Sequence, residues 1–299
     1  MAVPVDLTHP MVAELLGRCT FGPQPDVACA VSGGADSLAL LVLAAASGRT
    51  VTAIHVDHGL RDGSAHEVDL VARVAVAVGA TVRSETVVVE PGPNLEARAR
   101  AARYEVLPAD VATGHTADDR AETFLLNLLR GSGPAGLASI RRGPSHPLLD
   151  LRRGETVGLC ELLGIEPFED PSNLDPSFRR NRVRRELLPL LADIGDRDPV
   201  PVLVRQADLF AELDDDVDGR ASAVDVTSAR ALREAPVGVA GAAIRAWLLA
   251  AGVGGGYGLD SAAVARVLQV AHQERVATEI TGGWRVSRTH DTLRVEPPT

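Results

Sequence analysis

Val27-Ala28-Cys29-Ala30-Val31-Ser32-Gly33-Gly34-Ala35-Asp36-Ser37-Leu38-Ala39-Leu40 decides the fold of this chain. An apolar, strand-like run leads into Ser32–Ser37, and an apolar helix begins directly after it. Glycine lets the backbone turn tightly and aim successive N–H groups at one point. The N-terminus of the next helix adds partial positive charge there. Hydroxyls of Ser32 and Ser37 can donate to the same anion. Ser32, Gly33, Gly34, Ala35, Asp36 and Ser37 thus form a candidate cradle for phosphate or pyrophosphate. Asp36 is an acid inside an anion site, which makes sense with a divalent cation between it and the phosphates.

Working outward, residues 26–130 alternate strand-like and helix-like segments. Strands are expected at 26–31, 51–57, 81–89 and 110–113, with helices near 36–47, 64–78, 95–107 and 117–130. Short β-branched strands alternating with helices predict an α/β, doubly wound parallel sheet. Ligands of such sheets gather beyond the carboxyl ends of the strands. Ser32–Ser37, His55–Arg61 and Gly114–Asp119 all follow strand ends.

Beyond the sheet, the pattern predicts a short helix near 154–164 and an arginine-rich helix near 178–192. Asp193–Pro201 reads as a linker. It divides a catalytic domain, 1–196, from a smaller, mainly helical domain, 197–299. The latter is expected to hold helices near 202–214, 228–251 and 259–272, then a hairpin of strands 276–281 and 284–295 around Gly282-Gly283.

Composition narrows the chemistry. The 299 residues include no lysine, so all 30 Lys+Arg are arginine. A phosphate loop of the G-x-x-x-x-G-K-[ST] type and lysine-based catalysis are therefore excluded. Cys19, Cys29 and Cys160 are scattered, which fits a reducing, cytoplasmic setting and argues against a metal–thiolate site. No membrane span or signal peptide is expected. Net charge is −10, which argues against nucleic acid as a partner. Yet Phe178–Arg185 holds five arginines: Arg179, Arg180, Arg182, Arg184 and Arg185. Such a strip is either a solvated helix face or a local site for a phosphate backbone.

Ser-Gly-Gly-x-Asp-Ser resembles the signature of the PP-loop ATP pyrophosphatases, the adenine nucleotide alpha hydrolase-like fold. Further segments sharpen the resemblance. They are His55-Val56-Asp57-His58-Gly59-Leu60-Arg61, Asn94–Tyr104, Thr113-Gly114-His115-Thr116-Ala117-Asp118-Asp119-Arg120-Ala121-Glu122-Thr123, Leu129–Leu137, Glu169–Asp175 and Arg180–Arg184. In this order, over residues from about 26 to 192, they resemble the tRNA(Ile)-lysidine synthetases.

That resemblance implies a reaction. ATP, with Mg²⁺, adenylates the carbonyl oxygen at carbon 2 of the wobble cytidine of a tRNA(Ile) with a CAU anticodon, and free L-lysine displaces AMP. It also implies roles. Asp36, His115 and Asp119 would be catalytic, with Asp36 the metal ligand. Ser32–Ser37, His55 and Arg100 would bind the nucleotide, and the arginine strip would bind RNA. Family members are often dimers.

Each role has a structural counterpart. His115 could be a cap contact, Asp118 and Asp119 could serve the helix dipole, Arg100 could pair with Glu96, and His55 could be a packed strand-end residue. Rival functions are another PP-loop tRNA-modifying enzyme, such as a 2-thiolation enzyme, and a catalytically dead RNA-binding module. Two positions depart from the family: Arg120, where glutamine is usual, and His146, where arginine is usual.

Overall fold

The structure is a computed structural model that describes residues 5–57, 64–87, 105–168, 170–254 and 259–298, together with Arg98 and Ala102. It divides into two compact units, Met1–Leu209 and Phe210–Thr299.

The first unit is built on four parallel strands: β1 (Asp26–Ala30), β2 (Thr50–Asp57), β3 (Thr81–Thr86) and β4 (Ala112–Thr113). Their order is β3-β2-β1-β4. Successive strands step one way from β1 to β3, and β4 then returns to the free side of β1. The β1/β4 junction, with Ala30 opposite Thr113, is therefore the switch point of the sheet. Ligands of such sheets bind at this crevice. Helices α1 (Pro10–Leu16), α2 (Ala35–Ala46), α3 (Ser64–Ala77) and α4 (Ala117–Leu129) accompany the strands.

Helix α2 is apolar around its whole circumference, and every residue from Ser37 to Ala44 is buried. A helix of that kind belongs inside the molecule. Helix α5 (Arg153–Leu162) packs on it through Leu159 and Cys160. That packing brings the first turn of α5 to the PP-loop.

The arginine-rich segment is helical but uneven. Helix α6 (Arg179–Arg182) passes through a π-helical turn, Val183–Leu187, into α7 (Leu188–Gly195). Single π turns are frequent at functional sites and change which face the following side chains present. Helix α8 (Pro199–Ala221) begins inside the expected linker, because Pro199 suits a first helical turn. The division between compact units falls within α8, beyond the boundary expected at 196–197.

In the second unit, Pro236 separates α9 (Ala229–Glu234) from α10 (Val237–Ala250), where one helix over 228–251 was expected. Helix α11 (Ser261–Ala271) follows. The expected hairpin is a three-stranded antiparallel sheet, β5 (Ala277–Ile280), β6 (Trp284–Thr289) and β7 (Thr292–Glu296). His290, at φ 55°, turns the chain inside what read as a single strand. Among the described residues, no helix is long and apolar enough to cross a membrane.

Candidate active site

The loop after β1 has the geometry of an anion cradle. Gly33 takes φ 84°, a region that favours glycine, and Gly34 caps α2 with extended backbone. The Ser37 hydroxyl donates to Gly34 O at 2.8 Å and accepts from Ser32 N at 3.2 Å. This side chain closes the loop and leaves the start of α2 facing the crevice.

Gly114, after β4, lies directly against the same turn. A Cβ there would stand 2.7 Å from Asp36 O and 2.8 Å from Asp36 C. Only glycine lets β4 approach so closely, and this carries His115 to the rim of the loop.

His55, two residues before the end of β2, is almost fully buried, with Nδ1 2.9 Å from Val31 O. A carbonyl only accepts, so Nδ1 carries the proton and Nε2 is the acceptor. Nε2 has no hydrogen-bond partner among the described residues. Arg100, most of the helix expected near 95–107, and His58–Arg61 lie outside the described residues; Arg98, Ala102 and residues 105–106 are helical.

The centre of the site is Arg153. Its Nε donates to Asp36 Oδ2 at 3.2 Å, Nη2 to Asp119 Oδ1 at 2.8 Å, and Nη1 to Glu122 Oε1 at 3.1 Å. Thr156 Oγ1 donates to Asp36 Oδ1 at 2.5 Å. Glu122, fully buried, also receives Arg180 Nε at 2.7 Å and Arg184 Nε at 2.6 Å. Asp118 is bound at 3.0 Å by both Nε and Nη2 of Arg152.

Sequence patterns missed Arg153, Thr156 and Glu122. One signal was present. Arg152 and Arg153 stand at a helix N-terminus, where the dipole disfavours cations. Such a local violation marks a tertiary demand.

Electrostatics separate the two aspartates. Burial pushes the Asp36 carboxyl up, and Arg153 offsets this only in part. For Asp119 burial also pushes upward, but Arg153 and Arg180 outweigh it and hold the carboxyl at about 2. A carboxylate that acidic is a poor proton acceptor near neutral pH. Asp119 also serves the helix, as Oδ2 accepts from Thr116 N at 2.9 Å.

His115 precedes the N-cap, Thr116, and so shares no helical face with Asp119, four residues on. Arg120 points away from the cradle, almost fully buried, and Nη1 donates to Asp208 at 2.7 Å.

The arginine strip is two surfaces rather than one. Arg180 and Arg184 turn inward to Glu122. Arg179, Arg182 and Arg185 are instead exposed. Of these, Arg182 pairs with Glu186 one turn on. A cleft of about 280 Å³ runs beside the cluster, lined by Asp118, Glu122, Arg153, Arg184, Leu188 and Val200 among others.

Comparison with known proteins agrees with this geometry. A PP-loop domain family matches residues 9–191. The chain is 42% identical to the tRNA(Ile)-lysidine synthase of Rhodococcus erythropolis, over 78% of this chain and 76% of that one. It is 40% identical to the tRNA(Ile)-lysidine synthase of Mycobacterium leprae, over 76% of each. With the tRNA(Ile)-lysidine synthase of Corynebacterium glutamicum it is 44% identical, over 59% of this chain and 58% of that protein. In fold it is similar to the U34-tRNA thiolase NcsA of Methanococcus maripaludis, with a TM-score of 0.51, 20% identity, and 68% of this chain and 77% of that one covered. A phosphate cradle at the sheet's switch point, a domain match over more than half the chain and relatives above 40% identity over three quarters of their length point one way: the chain belongs to the tRNA(Ile)-lysidine synthase family of PP-loop proteins.

Proposed function

We propose that this chain ligates L-lysine to carbon 2 of the wobble cytidine of a tRNA(Ile) with a CAU anticodon, consuming ATP and releasing pyrophosphate and AMP. The observation that carries this reading is Arg153, which touches both Asp36 of the anion cradle and the Asp119–Glu122 carboxylates. It makes one site of a nucleotide end and an amine end.

At the nucleotide end, adenylation moves negative charge onto pyrophosphate. Backbone N–H groups at the start of α2 and the Ser32 hydroxyl are set to receive it, while the Ser37 hydroxyl is committed to Gly34 O. Asp36 is the residue that would hold Mg²⁺. One carboxylate fits that ion, which takes its remaining ligands from phosphate and water. Bound there, Mg²⁺ would neutralise phosphate charge.

At the amine end, free lysine brings cationic ammonium groups, and Asp118 and Glu122 bring carboxylates to the wall of the cleft of about 280 Å³. His115 is the group suited to accept the proton lost as the amine nitrogen bonds carbon 2 and the carbon–oxygen bond to AMP breaks. Arg179, Arg182 and Arg185 offer exposed cations to the tRNA backbone.

A cluster-dependent thiolation enzyme fits less well. Burial pushes the Cys19, Cys29 and Cys160 thiols up to about 12, away from the thiolate state a cluster needs. Substrates of this kind place the reaction in the cytoplasm, and a homodimer belongs to the same reading; light scattering tests the latter. The deciding experiment incubates the protein with ATP, Mg²⁺, lysine and the tRNA. Pyrophosphate release with a wobble nucleoside heavier by one lysine, less water, supports the proposal. Release without that mass change overturns it.

A further inference from the structure

His115 is held by a small network that its local sequence does not announce. Thr113 Oγ1 lies 2.7 Å from His115 Nδ1, 2.8 Å from His146 Nδ1 and 3.0 Å from Ser145 O. The two imidazoles meet edge to face, with ring centroids 5.1 Å apart at 77°. Thr113 is buried at the end of β4. Its backbone N–H donates to Ser145 O at 2.9 Å, and His146 N donates to Gly143 O at 2.9 Å, so the segment carrying His146 is tied down.

A threonine hydroxyl has one proton and two lone pairs. Ser145 O can only accept. All three contacts are hydrogen bonds in one arrangement alone: the hydroxyl proton goes to Ser145 O, and both Nδ1 atoms donate to Thr113 Oγ1. Any other arrangement turns one contact of 3.0 Å or less into facing lone pairs. With Nδ1 protonated, the neutral His115 ring carries its lone pair on Nε2, the edge directed away from Thr113.

We infer that Thr113 and His146 are positioning residues that hold His115 in the Nδ1–H tautomer, presenting Nε2 as the proton acceptor for the attacking amine. The inference rests on the proposed function for the identity of that amine, and on the network alone for the tautomer. His146 stands where the family usually has arginine. An arginine side chain can only donate, as His146 Nδ1 does here toward Thr113 Oγ1. The departure thus preserves the direction of the hydrogen bond. In the ligation step the amine nitrogen bonds carbon 2, its proton moves to His115 Nε2, and the electrons of the broken carbon–oxygen bond leave with AMP.

The experiment has two arms. Nitrogen-15 NMR of histidine-labelled protein, assigned with His115→Gln, reads the tautomer in the absence of substrates. The expected result is a protonated Nδ1 on His115 in the wild type and a mixture in Thr113→Val. A wild-type His115 protonated at Nε2 overturns the inference, whatever the activity. In the second arm, ligation is followed from pre-formed adenylated tRNA. His146→Leu, which removes the donor, is expected to slow this step on the order of 10²-fold, within the range of positioned acid–base groups. KM for ATP should be unchanged. His146→Asn, whose side-chain amide replaces the Nδ1 donor, should recover most of the rate. Equal rates for His146→Leu and wild type overturn the inference. If wild type forms no lysidine, the proposed function falls instead, while the spectrum still decides the tautomer. His146→Leu and the wild-type spectrum suffice should Thr113→Val fail to fold.

Discussion

Arg153 Nε donates to Asp36 Oδ2 at 3.2 Å, joining residues 117 positions apart in the chain. Asp36 sits in the anion cradle, whereas Arg153 opens a helix from beyond the sheet. The same guanidinium continues to Asp119 and Glu122. One guanidinium therefore bridges three carboxylates that would otherwise repel one another in a poorly solvated place, and Arg180 and Arg184 supply the further positive charge.

Arg153→Met should destabilise the protein by about 3 kcal/mol, because removing one partner of a buried pair leaves uncompensated charge. Urea unfolding measures this. Adding Glu122→Gln should restore part of the loss, since one of the stranded carboxylates is then neutral. Simple additivity of the two changes would contradict the account.

Asp36→Asn should abolish ATP-dependent pyrophosphate release while leaving the melting temperature at pH 7 equal or higher. The Asp36 carboxyl is pushed up by burial. Stability from a raised carboxyl is present below its unfolded value and is lost as pH rises through the folded one. At neutral pH its ionised form is a cost, which the amide removes. Pyrophosphate release at the wild-type rate would sink the assignment.

Asp119 has the opposite sign. Its carboxyl, held at about 2 against an ordinary 3.8, contributes roughly 2 kcal/mol above the unfolded value, lost as pH falls through the folded one. The stability gap between wild type and Asp119→Asn should therefore narrow by about that amount between pH 5 and pH 2. Denaturant midpoints across that window measure it. A constant gap would show that Arg153 and Arg180 do not hold the charge.

Gly114→Ala should weaken ATP binding at least tenfold and lower stability, because its Cβ would stand 2.7 Å from Asp36 O. Gly219, within α8, is the control, since a Cβ added there would meet nothing within 4 Å. At that position alanine should be neutral or stabilising by up to about 1 kcal/mol, the difference in helix propensity. Calorimetry of nucleotide binding and of unfolding separates the two.

The arginine strip should divide in two. Arg182→Ala with Arg185→Ala should weaken tRNA binding and flatten its salt dependence by about one to two units, as each phosphate contact contributes about 0.7–0.9. The Arg182–Glu186 pair is exposed and offers little resistance to exchange. Arg184→Ala should instead lower stability, since it strips a partner from fully buried Glu122. A salt titration on each variant checks both halves. Wild-type affinity in the first double variant would make the exposed arginines an ordinary solvated face.

The chain by itself determined everything whose physics is local. Ser32–Ser37 reads as a turn between strand and helix because glycine, serine and the following apolar run act on neighbours. The alternation of β-branched and helical segments carries the parallel sheet in the same way, and the order of the segments carries the family. Tertiary structure alone decided the partners. Glu122 looks like a surface glutamate in α4 until helical packing delivers Arg153, Arg180 and Arg184 to it. The arginine strip reads as one cationic face until packing seats Arg180 and Arg184, one helical turn apart, on Glu122. Asp119 looks like an acid serving the helix dipole until packing brings Arg153 and Arg180 onto it. Charge, tautomer and proton affinity depend on groups brought together through space, and these pairings arise only when α5 packs on α2 and β4 closes against the loop at Gly114.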